Sequence, residues 1–209
     1  MSPPRGRTPN EETVAAYEDI AADYAEDTRG APTGVLAEAL GRLVTHLHAG
    51  ATVLEVGSGP GWDADFLESR GLRVRRTDAA RAFRDLQVAR GRQAEVLDVT
   101  RDPFTDEAWP AYDAVLALFV LQHLGCEVVP SVLARAVAAM RPGGAALLSV
   151  REGEGERWEQ GEVHRYHVSS WTEEGLDGLL DAVGLVPGWR ARLVDGEGGW
   201  LLVLASRPR

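Results

Sequence analysis

Apolar residues recur at helical spacing over residues 11–27, at Val14, Tyr17, Ile20, Ala21 and Tyr24. Gly30 and Pro32 break that pattern. Val35, Leu36, Leu40, Leu43, Val44 and Leu47 then share one face of a second helix, which Ala49 and Gly50 end. Beyond it, short apolar runs alternate with amphipathic segments. Residues 52–56, 72–77, 94–97, 112–119 and 145–150 predict strands, and 62–69, 79–90 and 128–140 predict helices. Residues 112–119 are strongly apolar, as a strand covered on both faces requires. Strict strand–helix alternation implies a parallel sheet with helices on both sides, joined by right-handed crossovers.

The last third departs from this rhythm. Residues 151–160 are charged and contain glycine, and read as a loop. Residues 172–183 predict a helix capped by Thr172, with Glu174 in its first turn and Gly184 closing it. Residues 185–194 and 200–205 flank Asp195-Gly196-Glu197-Gly198-Gly199 and predict an antiparallel hairpin at one sheet edge. The opening MSPPRGRTPN is polar and proline-rich, so residues 1–10 read as a disordered tail. Residues 11–209 then form one domain, with no internal repeat.

The 209 residues, 44% hydrophobic and 26% charged, suffice for one packed α/β domain. No apolar run approaches the ~20 residues of a membrane span, and no apolar stretch follows Arg5 and Arg7, so the expected location is cytoplasmic, away from membranes. The formal charge of −10 argues against nucleic acid as partner. The arginines at 70, 73, 75, 76, 81, 84, 90 and 92 read as solvated helix faces and a strand edge. The single cysteine, Cys126, excludes an internal disulfide, and no His/Cys or carboxylate spacing suits a metal. The absence of lysine excludes Schiff-base chemistry, and no G-x-S-x-G elbow is present.

The first predicted strand runs into Val53-Leu54-Glu55-Val56-Gly57-Ser58-Gly59-Pro60-Gly61. Its glycines permit a tight turn and close approach of a ligand to the backbone, and the following helix offers free N–H groups. Asp78 ends the second strand about 20 residues later, where an acid suits ribose hydroxyls, and Asp98 follows the third. All lie at carboxyl ends of strands, where open α/β sheets bind ligands. A dinucleotide fold would need a third glycine where Trp62 stands, and the Glu55 carboxylate would repel a pyrophosphate but attract a cofactor bearing ammonium and sulfonium groups.

This series of Glu55-x-Gly57-x-Gly59-x-Gly61, Asp78, Asp98, Tyr112-Asp113, Leu121-Gln122-His123-Leu124 and Arg141-Pro142-Gly143-Gly144 resembles the class I S-adenosylmethionine-dependent methyltransferases, in their small single-domain branch. The resemblance spans roughly residues 17–205. It implies a doubly wound, mostly parallel sheet of seven strands (a Rossmann-like methyltransferase fold) with an antiparallel last strand, and a helical lid over residues 11–48. It also implies S-adenosyl-L-methionine as cofactor, held at its methionine end by Gly57, Ser58, Gly59 and Gly61, at the ribose by Asp78 and near the adenine by Asp98. Ala79 and Val99 would flank the adenine and Leu118 would lie beneath the cofactor. In the lid, Tyr24 would touch the methionine moiety and Arg29 its carboxylate. This chain lacks the bulky apolar residue that many relatives carry directly after the Asp78 position.

Methyl transfer from a sulfonium is an in-line displacement, so positioning supplies much of the rate and a base serves only a protonated acceptor. His123, after the fourth strand, is the first candidate for base or cofactor contact. The 151–167 segment resembles the family's acceptor loop. There Arg151, Trp158, Arg165 and Tyr166 are candidates for binding the acceptor, and Glu152, His164, Tyr166 and His167 for taking a proton. The expected acceptor is a small molecule or small peptide. The alternatives are a cofactor-binding module without catalysis and an NAD(P)-dependent oxidoreductase. Acceptor identity, methylated atom and oligomeric state are not legible.

Overall fold

The computed structural model describes residues 7–161, 163–196 and 198–209. Helix α1 runs over Pro9–Asp27, two residues earlier than the periodicity predicts. The reason is a capping box: the Thr8 hydroxyl accepts from the Glu11 N–H (3.2 Å) while the Glu11 carboxylate accepts from the Thr8 N–H (2.9 Å). Pro9 at the first helical position has no N–H to satisfy. Pro9 and Asn10, read as tail from their composition, are therefore helical, and residues 1–6 lie outside the described residues.

The chain continues through α2 (Gly34–His46), β1 (Thr52–Val56), α3 (Trp62–Ser69), β2 (Arg73–Asp78), α4 (Arg81–Ala89), β3 (Ala94–Val96) and β4 (Tyr112–Ala117). It ends in α5 (Val129–Ala139), β5 (Met140–Glu152), β6 (Gly155–Gln160), β7 (Arg165–Trp171), α6 (Glu173–Ala182), β8 (Val186–Asp195) and β9 (Gly198–Ser206). Strands β3-β2-β1-β4-β5 are parallel. β9 pairs antiparallel with β5 and carries β8 at the edge. These seven make the doubly wound sheet expected. The described sheet has nine strands, because residues 151–160 are not a loop: β5 extends to Glu152, and β6 and β7 form a hairpin whose β7 joins the end of β5 at Arg151–Ser170 and Glu152–Trp171.

Side chains alternate between two cores. Leu54, Val56, Val115 and Ala117 pack with α5 and α6, while Val53, Ala114 and Leu116 pack with Leu40 and Leu43 of α2 and Leu67 of α3. Helix α1 lies instead across the carboxyl ends of the strands. Its Glu18 carboxylate accepts the N–H groups of Arg81 (2.5 Å) and Ala82 (2.9 Å), capping α4, whose own N-cap residue is Ala80 and has no side-chain acceptor. The arginine cluster is only partly solvated. Arg75 and Arg76 are 7% and 2% exposed, and Arg76 is held by Asp65 (2.6 Å) and Glu68 (2.8 Å). Burial of a guanidinium demands such partners.

Candidate functional site

The turn after β1 is built from both sides. Gly57 (φ 65°) and Gly61 (φ 84°) occupy the left-handed region. A Cβ on Gly57 would sit 2.2 Å from Val120 Cγ2, and one on Gly61 2.6 Å from Gln87 Oε1. Behind the turn, the Gln87 amide donates to the Gly59 carbonyl (2.9 Å) and Arg76 donates to the Gly61 carbonyl (3.3 Å). Neither prop was legible in sequence, because each acts from a neighbouring element.

A cavity of about 430 Å³ opens over this turn, in the range of small-ligand sites. Gly57, Ser58, Gly59, Asp78, Ala79, Val99, Leu118, Tyr24 and His123 of the expected residues line it. Asp78 accepts the N–H groups of Gly59 and Ala80 (2.8 Å each), which leaves lone pairs for two further donors. Burial pushes its carboxyl up to about 6. Phe83, one turn into α4, and Leu97 also face the cavity. Phe83 supplies the apolar bulk that the sequence lacks directly after Asp78. Phe119 lines the cavity in the left-handed conformation (φ 57°), held by its N–H donating to the Ser149 hydroxyl (2.7 Å).

Four expected cofactor residues do not line the cavity. Asp98 lies just behind it, with its carboxylate taking the N–H (2.9 Å) and hydroxyl (2.6 Å) of Thr100 and its flanking residues Leu97 and Val99 on the wall. Gly61 serves the turn's shape. Arg29 is exposed and paired with Glu26. Glu55 lies beneath the turn, 3% exposed, where it accepts the Ser58 hydroxyl. Burial first, and then the neighbouring Asp63 charge, push the Glu55 carboxyl up to about 8, so it is protonated at neutral pH. The carboxylate charge expected of Glu55 is therefore not available there. Asp63, in the first turn of α3, lines the cavity instead. It makes no hydrogen bond or ion pair with a described residue, and desolvation pushes it up to about 6. Its neighbour Trp62 also lines the cavity, and the buried Trp62 Nε1–H finds no partner among the described residues.

His123 reaches the cavity from a short turn after β4. Its Nδ1–H donates to the His167 carbonyl (3.0 Å), which fixes the tautomer and makes Nε2 an acceptor, within 3.1 Å of both the Tyr17 hydroxyl and the Gln122 amide. Burial lowers the imidazole to about 4, so it is neutral across the physiological range.

The remaining acceptor-loop candidates, Arg151, Glu152, Trp158, His164, Arg165, Tyr166 and His167, do not line this cavity; they lie on β5, β6 and β7 and in the β6–β7 connection, where they meet other elements. Arg151 is 2% exposed, with its guanidinium over the Trp200 ring (4.9 Å). Glu152 pairs with Arg192 (2.8 Å). Arg165 pairs with Glu12 (2.8 Å) and stacks over Trp158 (4.2 Å). His164 pairs with Asp19 (3.1 Å) and His167 with Glu156 (3.0 Å). The Tyr166 ring lies 5.5 Å from that of Tyr17. The hairpin thus braces α1 and His123 from behind. Among the described residues no cluster of potential metal ligands occurs, and no helix is long and apolar enough to cross a membrane.

Comparison with known proteins agrees with this architecture. Residues 24–187 match a family model described as a methyltransferase domain. The ubiquinone biosynthesis O-methyltransferase of Idiomarina loihiensis is 30% identical over 133 residues, covering 60% of this chain and 53% of that protein. The malonyl-[acyl-carrier protein] O-methyltransferase of Serratia marcescens is 32% identical over 133 residues, 59% of this chain and 49% of that one. The chain therefore matches about half the length of these curated relatives. The 1,6-didemethyltoxoflavin-N1-methyltransferase of Burkholderia thailandensis, solved with S-adenosylhomocysteine, shares the fold with a TM-score of 0.68 at 24% identity, covering all of this chain and 94% of that one.

Proposed function

Because the chain belongs to the methyltransferase-domain family, we propose that it uses S-adenosyl-L-methionine to methylate a small-molecule or small-peptide acceptor. The observation that carries this reading is a single cavity lined by two contrasting groups of residues. One is a carboxylate with free lone pairs together with apolar neighbours (Asp78 with Ala79, Phe83, Leu97 and Val99), which suits a ribose and a base. The other is a glycine turn followed by Asp63, a carboxylate with no hydrogen-bond or ion-pair partner among the described residues, which suits a zwitterionic amino-acid group. A pyrophosphate would meet the Asp63 charge at the turn, which disfavours a dinucleotide.

When bound, the cofactor supplies a methyl group already activated by its sulfonium. The chain's own task is placement. Asp78 would accept the ribose hydroxyls, and Leu118 and Val99 would pack the flat part of the ligand, with Asp98 holding the adjoining loop. Tyr17 and Tyr24 of α1 line the cavity and would shield the reacting centre from solvent. His123 Nε2, neutral and of fixed tautomer, would accept a hydrogen bond from a hydroxyl or amine acceptor, directly or through the Tyr17 hydroxyl, and take the proton as the new bond to the methyl carbon makes it acidic.

The test is to incubate the protein with S-adenosylmethionine and a panel of phenols, amines and carboxylic acids, and to follow S-adenosylhomocysteine release. Acceptor-dependent release supports the reading. Tight cofactor binding with no release on any acceptor would favour a cofactor-binding module without catalysis.

A further inference from the structure

Building on the proposed cofactor, we infer that Asp63, and not the motif acid Glu55, supplies the counter-charge to the α-ammonium of its amino-acid end. Three observations carry this. First, Glu55 is enclosed beneath the turn and bonded to Ser58, with no face on the cavity. Second, Asp63 is on the wall of the same cavity as Asp78, next to Trp62 and two residues past the glycine turn, and no described residue offers it a hydrogen bond or an ion pair. Third, a partly desolvated carboxylate without a partner costs folding free energy, so its natural complement is a cation brought by the ligand. An acid placed only to favour a helix N-terminus would serve equally well facing bulk solvent.

The geometry also separates the two carboxylates by task. Asp78 is already engaged by two N–H donors and has hydroxyl-accepting capacity left, whereas Asp63 has no donor among the described residues. Asp78 ends β2, whereas Asp63 follows the glycine turn in the first turn of α3, and both line the one cavity, so a single ligand can meet both carboxylates. The assigned partner is the ammonium rather than the sulfonium, so the demethylated cofactor S-adenosylhomocysteine should feel Asp63 as fully as S-adenosylmethionine does.

The experiment is calorimetric titration of wild type and Asp63→Asn with S-adenosylhomocysteine and with 5′-methylthioadenosine, which retains the adenosine and sulfur but lacks the amino-acid group. The expected result is a roughly 10- to 50-fold weaker Kd for S-adenosylhomocysteine in Asp63→Asn, with the Kd for 5′-methylthioadenosine within twofold of wild type, consistent with loss of one charge-assisted contact. Thermal melting of the ligand-free variant should show a Tm equal to or above wild type, since an isosteric amide removes an uncompensated charge. Equal weakening of both ligands, or no weakening of either, overturns the assignment. Glu55→Gln serves as the contrast: a loss of S-adenosylhomocysteine affinity there as large as in Asp63→Asn returns the role to Glu55. Failure of wild type to bind either ligand overturns the cofactor reading itself, and this inference with it.

Discussion

The glycine turn with Asp78 and the β6–β7 hairpin are both rich in ionisable side chains, and both lie at the carboxyl end of the sheet. They use those side chains differently. In the hairpin ionisable side chains meet partners, as in the Glu12–Arg165 ion pair and the Asp19–His164 and Glu156–His167 contacts. Around the turn, Asp63 has no hydrogen-bond or ion-pair partner among the described residues and Asp78 is only partly satisfied by backbone donors. Paired groups hold elements in place, whereas unpaired ones facing a cavity wait for a ligand. His123 joins the two regions: its Nδ1 is anchored by the hairpin's His167 carbonyl and its ring faces the cavity.

The largest test of this division falls on His123. His123→Ala should lower kcat by about 10²-fold, a usual scale for general acid–base catalysis, while the Kd for S-adenosylhomocysteine stays within threefold. Equal losses in both would mean that the residue only shapes the cavity. Next comes Asp78→Ala, for which removal of a charged acceptor of hydroxyl donors should weaken S-adenosylhomocysteine about 100-fold by calorimetry, near 2–3 kcal/mol. An unchanged Kd would remove the ribose assignment.

Glu55 tests the buried acid through pH. Its native value of about 8 exceeds the ordinary 4.5, so the native state keeps a proton that the unfolded chain has lost. That contribution is fully present below 4.5 and is lost as pH rises through 8. Glu55→Gln mimics the protonated form, so melting curves should show the variant gaining on wild type between pH 5 and pH 9, by about 2–4 °C for each ~1 kcal/mol recovered. A difference that does not vary with pH would contradict the buried, protonated state. The smallest effect belongs to the hairpin surface. Arg165→Ala removes an exposed ion pair and should cost under about 1 kcal/mol in melting, with cofactor affinity within twofold. A tenfold loss of affinity would break the contrast between the regions.

What was legible in the sequence follows the same physics. Gly57, Gly61 and Asp78 were readable because a left-handed turn and a strand-end acid are local demands, written in consecutive residues. Strands β1 and β4 and residues 145–150 of β5 were readable because buried parallel strands are largely apolar. The β6 strand was not: Gly155–Gln160 is an edge strand exposed on both faces, so it carries no alternation to find, and Gly153 and Gly155 mimic a loop. The contacts that Arg151, Glu152 and Arg165 make were not legible, because their partners, Trp200, Arg192 and Glu12, are distant in sequence. Asp63 stands in the first turn of α3, and only the fold shows it facing a cavity.

The central claim is that this cavity takes an adenosyl amino acid and not a dinucleotide. Titrating the wild-type protein by calorimetry with S-adenosylhomocysteine and, separately, with NAD tests it most directly. The account predicts saturable one-to-one binding of S-adenosylhomocysteine with a Kd of about 10⁻⁶–10⁻⁴ M and no measurable heat with NAD. Binding of NAD without binding of S-adenosylhomocysteine would contradict it.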